Sequence, residues 1–235
     1  MNNFIWTDLS TFDLEKTKQF YNEIFGWNYY QSDDQYHVGY TGNFEASGLY
    51  EMPEKFQKMN MPSFWMSYIQ VENVAETVAI AKKANGIIEV VEDLESFGKI
   101  ALIRDPLGAG FTIYEGNQLN SRTEDTENTL VWNELFASDA SLVIPFYSAI
   151  FNWKITYEGY GRYVIENEKG ETVSAIQQLD NSIKGKHEYW GVFFKVKDFE
   201  QAKLTIINNG GTIVFAGDTY ALCTDSFNAM FHITT

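Results

Sequence analysis

The chain has 235 residues, 45% hydrophobic and 16% aromatic, with 32 acids against 17 bases and a formal charge of −15. That apolar content excludes a disordered chain, and so acidic a surface repels phosphate backbones and anionic lipid, so neither nucleic acid nor membrane is expected as a partner. No apolar run reaches the length that crosses a bilayer, the opening Met1-Asn2-Asn3-Phe4-Ile5 lacks the order of a secretion signal, and the lone Cys223 suits a reducing cytoplasm.

In chain order, residues 4–9 read as a strand and 13–25 as a helix. Asp13 is placed to cap the helix, Leu14, Tyr21, Ile24 and Phe25 form its apolar stripe, and Gly26 stops it. Short strands are expected at 28–30, 36–40 and 46–50. The order then restarts: a strand over 64–71, then a helix over 73–84 with Asn73 and Glu76 as a capping box and Gly86 as its stop. Strands at 87–91, 99–104 and 109–114 follow, with Asp105-Pro106-Leu107-Gly108 as a type I turn. The polar stretch from Gly116 to Asn128 reads as a boundary.

Beyond that boundary the text repeats. The 22 residues from Trp6 to Trp27 lie over those from Trp132 to Trp153 without a gap. Trp6, Leu9, Asp13, Phe20, Tyr21, Ile24, Phe25 and Trp27 each meet an identical residue 126 positions on, so the chain is a tandem duplication. The second half continues in parallel, with a strand at 190–196, a capping box of Asp198 and Gln201, a stop at Gly210-Gly211, and a turn at Asp225-Ser226-Phe227-Asn228. Each half is β-α-β-β-β written twice. Pro145 falls inside the copy of the first helix, where it removes a hydrogen bond. A start capped by Ser141 in place of Asp139 would put it near the first turn, so a late start or slight kink is expected.

These motifs, Trp-x-(Asp/Glu)-Leu, Phe-Tyr-x-x-Ile-Phe-(Gly/Asn)-Trp, Trp-x5-Val and Asp-Pro-x-Gly-x-x-Phe, resemble the glyoxalase/bleomycin-resistance/dioxygenase family, the vicinal oxygen chelate superfamily, in its two-domain branch. The resemblance covers essentially the whole chain. It implies an α+β fold of four βαβββ units paired into two half-open barrel domains, 1–116 and 129–235 about a linker at 117–128. Each concave face would hold a small-molecule ligand and, in many members, a divalent metal. An internal pseudo-dimer of this kind is expected as a monomer or a homodimer.

The positions where the resemblance implies metal ligands hold Trp6 and Trp132, Met66 and Gly191, Thr112 and His232, and Gly48 and Ala175. Only His232 is a metal donor, so no metal is expected. Alternation along the strands puts Trp6 with Asp8, and Trp132 with Glu134, on one face, while Leu9 and Leu135 turn toward the helices. Met66, Tyr68, Tyr114, Phe193, Met230 and His232 are expected on the same concave faces. An aromatic cup with one carboxylate per half suits a small aromatic or hydrophobic molecule, flat or partly cationic. Glu134, His232 and Asp8 are the candidate catalytic groups. Two alternatives stay open. One is a lyase, isomerase or dioxygenase that uses zinc, nickel, iron or manganese, and the other is a metal-free enzyme with Asp8 or Glu134 as general base.

Overall fold

The computed structural model describes residues 2–33, 35–58, 61–95, 97–120 and 122–235, with Lys55 described by its backbone alone. The first module runs β1 (Phe4–Thr11), α1 (Leu14–Phe25), β2 (Asn28–Gln31), β3 (Tyr36–Thr41) and β4 (Phe44–Glu51). A short helix, α2 (Glu54–Lys58), leads to β5 (Phe64–Gln70), α3 (Val74–Lys83), β6 (Ile87–Asp93), β7 (Lys99–Arg104) and β8 (Gly110–Glu115). The third module is β9 (Leu130–Ala137), α4 (Ala140–Phe151), β10 (Lys154–Gly159), β11 (Arg162–Glu166) and β12 (Thr172–Gln178). After α5 (Asn181–Lys184) come β13 (Tyr189–Lys195), α6 (Phe199–Asn208), β14 (Thr212–Ala216), β15 (Tyr220–Thr224) and β16 (Met230–Thr234). All four βαβββ modules are present. The short helices α2 and α5 are additions that no periodicity announced.

The strands form two eight-stranded sheets of identical order, β2-β3-β4-β1-β5-β8-β7-β6 and β10-β11-β12-β9-β13-β16-β15-β14. Both are unclosed and mixed: hairpins run antiparallel, while β1 pairs with β4, and β9 with β12, in parallel.

Local chemistry sets the helix ends. Asp13 accepts from the Lys16 amide at 3.0 Å, and Gly26 closes α1 at φ 66°. In α4 the cap is Asp139, which accepts from both the amide and hydroxyl of Ser141. The late start expected from Pro145 is therefore not seen: the helix begins at Ala140, and its first turn tightens to a bond from the Leu142 amide to the Asp139 carbonyl. Gly86 is not the left-handed stop of α3. Asn85 takes that conformation at φ 67°, and Gly86 is small because a Cβ there would meet the Phe146 ring at 2.7 Å. In α6 the matching pair divides the roles likewise, with Gly210 at φ 86° and Gly211 leaving room for the Thr224 carbonyl.

The chain condenses into two compact units, and neither follows a half of the sequence. One comprises Met1–Ile5, Ser67–Asn120 and Asn133–Gly191; the other comprises Trp6–Met66, Ser121–Trp132 and Val192–Thr235. In the first, α3 and α4 share a core that includes Val78, Ala81, Leu135, Phe146 and Phe151. In the second, Leu9, Phe20, Phe25, Ile206 and Phe231 do the same for α1 and α6. Leu9 and Leu135 thus pack with the helices, as alternation requires.

Each core is pinned by one polar chain. Trp190 donates its indole N–H to the Tyr147 hydroxyl at 2.8 Å, which donates to Asp105 at 3.0 Å. The other unit repeats it with Trp65, Tyr21 and Asp225, at 3.3 and 3.2 Å. The second carboxylate oxygen of each aspartate closes its turn, accepting from the amides of Leu107, Gly108 and Ala109, or of Phe227 and Ala229. Buried polar groups left unmade cost more than bonds contribute. Tyr147→Phe, which strands both Trp190 and Asp105, should lower stability by about 1–3 kcal/mol in urea titration.

Burial pushes the Asp225 carboxyl up from the ordinary 3.8 to about 6, against the pull of its amide bonds and of Tyr21. Between those values the folded chain holds a proton that the unfolded chain has released. The contribution of this group to stability is complete below about pH 4 and is lost as pH rises through about 6. Asp225→Asn keeps an acceptor for the turn. It should flatten the slope of unfolding free energy between about pH 4 and 6, relative to the parent chain, in denaturant titrations.

Candidate functional site

Two clusters occupy equivalent positions on the sheet faces turned away from Leu9 and Leu135, one in each compact unit. In the first, Asp8 of β1 stands opposite Gly48 of β4, and Val38 of β3 is Gly48's other neighbour. Asp8 is 3% exposed and Trp6 1% exposed. One oxygen of Asp8 accepts from the Trp6 indole N–H at 2.6 Å and from the Tyr36 hydroxyl at 2.5 Å. Trp6 also reaches the Tyr36 oxygen at 2.9 Å, closing a triangle of indole, phenol and carboxylate. Tyr50 stacks on Tyr36 with ring centres 6.4 Å apart and planes 17° apart. Burial first, and then the charge of Asp8, pushes the Tyr50 hydroxyl up to about 12, so it carries its proton at neutral pH.

Gly48 makes this possible. A Cβ there would sit 1.9 Å from the Tyr36 oxygen and 2.1 Å from that of Asp8. The space a side chain at Gly48 would fill is taken by the Tyr36 hydroxyl and the Asp8 carboxylate.

In the second cluster Glu134 stands opposite Ala175, which pairs on its other side with Val164. Here the donor is a cation: the Arg162 guanidinium meets Glu134 at 2.5 Å and Glu158 at 3.3 Å. Phe136, two residues along β9, stacks on Tyr189 at 5.1 Å.

The other expected site residues are placed as follows. Met66 gives its carbonyl to the Thr7 hydroxyl at 3.0 Å, and Tyr68 stands opposite Thr112 in the β5–β8 pair. Tyr114 is wholly buried, donating to the Phe97 carbonyl at 2.7 Å and accepting from the Gln118 amide at 3.1 Å. Trp132 carries the Arg122 guanidinium 5.2 Å above its ring, and burial brings Arg122 down to about 10 without removing its charge at neutral pH. Phe193 and His232 stack at 4.1 Å and 9°, and Met230 pairs with Thr224 at the start of β16. Burial lowers His232 to about 3, so its imidazole is neutral throughout the physiological range.

Trp6 and Asp8 are therefore brought together, as are Phe193 and His232. Glu134 lies in one compact unit and Trp132 and His232 in the other. Tyr36, Tyr50, Arg162 and Arg122 were missed. The offset of 126 that links Trp6 to Trp132 also links Tyr36 to Arg162, a signal hidden because the short polar strands around them carry no repeated motif.

Residues 3–113 match the Glyoxalase/Bleomycin resistance protein/Dioxygenase superfamily. The first half of the chain thus matches this superfamily, and the second half repeats its pattern 126 residues on. It is 27% identical over 227 residues to "Putative glyoxylase CFP32" of Mycobacterium bovis, covering 89% of this chain and 83% of that protein. It is 23% identical over 234 residues to "Anthracycline biosynthesis protein DauV" of a Streptomyces species, covering 88% and 82%. Among solved structures it is similar to a Mn(II)-bound glyoxalase from Novosphingobium aromaticivorans, with a TM-score of 0.67, 11% identity and coverage of 99% and 81%. An extradiol ring-cleaving dioxygenase from Brevibacterium fuscum gives a TM-score of 0.68, 14% identity and coverage of 100% and 72%. At such identities these structures speak for the fold alone.

A metal site needs about three protein donors around one point. Among the described residues no three His, Cys, Asp or Glu side chains gather in that way. Asp8 is engaged by an indole and a phenol, Glu134 by a guanidinium, and His232 by a ring face. The donors among the described residues therefore do not fit a bound metal ion.

Gly48→Ala tests the geometry. The added methyl must displace Tyr36 or Asp8, at a cost of about 1–3 kcal/mol, and should change the fluorescence of Trp6. Ala175→Gly on the other sheet should cost no more than about 1 kcal/mol, the usual strand penalty of glycine.

Proposed function

We propose that the chain binds a small aromatic or hydrophobic molecule, without a metal, on the sheet face that carries Trp6, Asp8, Tyr36 and Tyr50. The single observation behind this reading is the Asp8 triangle. Taking a carboxylate out of water costs several kcal/mol, and a well-packed apolar residue at the same place often leaves a protein no less stable. Here the carboxylate is held in one orientation by two donors, among aromatic rings and beside a glycine. Ligand sites pair aromatic walls with a few fixed polar groups in this manner.

The relatives point the same way. One is named for anthracycline biosynthesis and another for a glyoxylase, and the structural neighbours include a ring-cleaving dioxygenase. All are consistent with small-molecule chemistry. His232, neutral and stacked, fills space beside Phe193 in this reading. Glu134, already matched by Arg162, is an ion pair of the second site copy, and the limits 1–116 and 129–235 assign one copy to each domain. A second reading, a metal-free enzyme with Asp8 as general base, is favoured by the 2.5 Å bond through which Asp8 already draws on a hydroxyl proton. Turnover of a bound compound, absent in Asp8→Asn, would distinguish it.

Titration with planar aromatic compounds should quench tryptophan fluorescence. Asp8→Asn should weaken that binding by about tenfold, or ~1.4 kcal/mol, while the melting temperature stays within a few degrees. Dialysis against EDTA should leave the affinity unchanged. Loss of binding on dialysis, with recovery on adding zinc, nickel, iron or manganese, would show that the metal-free reading is wrong.

A further inference from the structure

Each sheet ends in two open edges, formed by β2, β6, β10 and β14. An open edge presents backbone N–H and C=O groups to any strand that comes alongside, and proteins commonly blunt it with a bulge or with charge. β6 is blunted in both ways: its charges, Glu89, Glu92 and Asp93, are all acids, and it is bulged between Ile88 and Val90. β14 is bulged at its centre, between Ile213 and Phe215.

β10 differs. Its bulge lies at the far end, so Lys154 to Tyr157 run in unbroken register against Glu166 to Tyr163. Along Lys154-Ile155-Thr156-Tyr157-Glu158 every residue but Ile155 is exposed. Laid antiparallel on a copy of itself about Thr156, this strand is its own complement. Lys154 stands opposite Glu158 of the second copy, Ile155 opposite Tyr157, and Thr156 opposite Thr156. Opposite charges and apolar residues directly across such a pair attract, while like charges repel. β6, whose charges are all negative, forms no attractive charge pair with itself in any register. Lys154 and Glu158 already meet Glu166 and Arg162 of their own chain, at 2.8 and 3.3 Å. Such exposed pairs hold their charges weakly. In β2, the strand 126 positions earlier, Asn28 and Ser32 stand in their places.

The turn after β10 supplies a second observation. Gly159, Tyr160 and Gly161 have φ of 120°, 50° and 77° in succession. A tyrosine takes that conformation at a cost, and Tyr160 is wholly exposed, so no packing within the chain offsets it. The turn is nonetheless held. The Gln178 amide donates to the Gly161 carbonyl at 2.7 Å, and the Gln177 side chain to the Tyr160 carbonyl at 3.1 Å. Aromatic rings fixed at a surface are frequent anchors of protein interfaces. In the antiparallel pairing, Tyr160 lies beside the start of β10 in the second copy.

We propose that two copies of this chain associate through β10, antiparallel about a two-fold axis at Thr156. The same patch serves both copies, so association closes at the dimer. A contact of one short strand is small for a stable interface, so the dimer is weak and follows protein concentration.

Sedimentation velocity on the full chain, from about 1 µM to 1 mM, reads this equilibrium. The parent should pass from monomer to dimer within that range. Lys154→Glu sets acid against acid at both ends of the pairing and should raise the dissociation constant at least about tenfold, as should Glu158→Lys. These two changes move the net charge in opposite directions, so a loss common to both is not general repulsion. Lys154→Glu with Glu158→Lys together remakes both pairs and should restore the dimer. Tyr160→Gly suits the left-handed turn, and should raise the dissociation constant without lowering the melting temperature. Thr156→Cys gives an independent reading: residues facing each other in an antiparallel pair have Cα atoms about 4.5–5.5 Å apart, within disulfide reach, so it should cross-link to its copy under oxidised glutathione. Cys223 is buried and does not compete. Tyr30→Cys, the matching position on β2, should not cross-link. A parent that stays monomeric up to about 1 mM would overturn the proposal. So would a dimer that both single reversals leave intact, one that the folded double variant fails to restore, or equal cross-linking at Tyr30 and Thr156. Loss of the dimer in Glu92→Lys would place the interface on β6 and overturn it too.

Discussion

The bond from a helical tyrosine to the aspartate of a turn is the constraint from which most of this molecule follows. Tyr147 must reach Asp105, and Tyr21 must reach Asp225, through a largely apolar core. The helix therefore presents its tyrosine inward at a fixed height, with Phe146 or Phe20 beside it and Phe151 or Phe25 a turn further on. The tryptophan that donates to the tyrosine fixes the strand behind. The turn aspartate, spending one oxygen on backbone amides and the other on the tyrosine, holds the last hairpin of the module in register. Aromatic area supplies the driving force of these cores, while the directional bonds select one arrangement of rings among many of similar volume.

Much of this was legible in the chain and some was not, for identifiable reasons. The repeat, the helices and the inward turn of Leu9 and Leu135 follow from spacing alone, because period 3.6 and period 2 leave unmistakable traces in long elements. That Trp6 and Asp8 share a face was legible too. Their bond to Tyr36 was not, since it depends on the register of a short polar strand fixed only by its hairpin. Gly86 illustrates a subtler limit. A glycine after a helix signals either a left-handed residue or a close approach. Here Asn85 serves the first need and Gly86 the second, a division visible only once Phe146 is seen against it. Pro145 was expected to delay its helix, but the double acceptance by Asp139 anchors the first turn strongly enough to carry it.

The two site clusters show how one geometry accommodates different chemistries. In both, a carboxylate projects from the central strand beside a small residue of the next strand, and a long side chain from the strand beyond reaches across to meet it. Exchanging a phenol for a guanidinium changes the group that meets the carboxylate while leaving the backbone register untouched. The fold tolerates this because the backbone bonds that position the strands are independent of the side chains that project from them. Arg122 over Trp132 is a further instance of the chain using its own cation on an aromatic face.

The interleaving of the two compact units bears on the ancestry of the chain. Tyr21 belongs to the first copy of the repeat and Asp225 to the second; Tyr147 belongs to the second and Asp105 to the first. Before the duplicated genes were joined, those same bonds would have linked separate polypeptides, and every core would have depended on protein concentration. Fusion made the encounter intramolecular, replacing a bimolecular equilibrium with the high effective concentration that a short tether confers. Freed from having to be identical, the two copies could then differ residue by residue, one with tyrosine where the other has arginine.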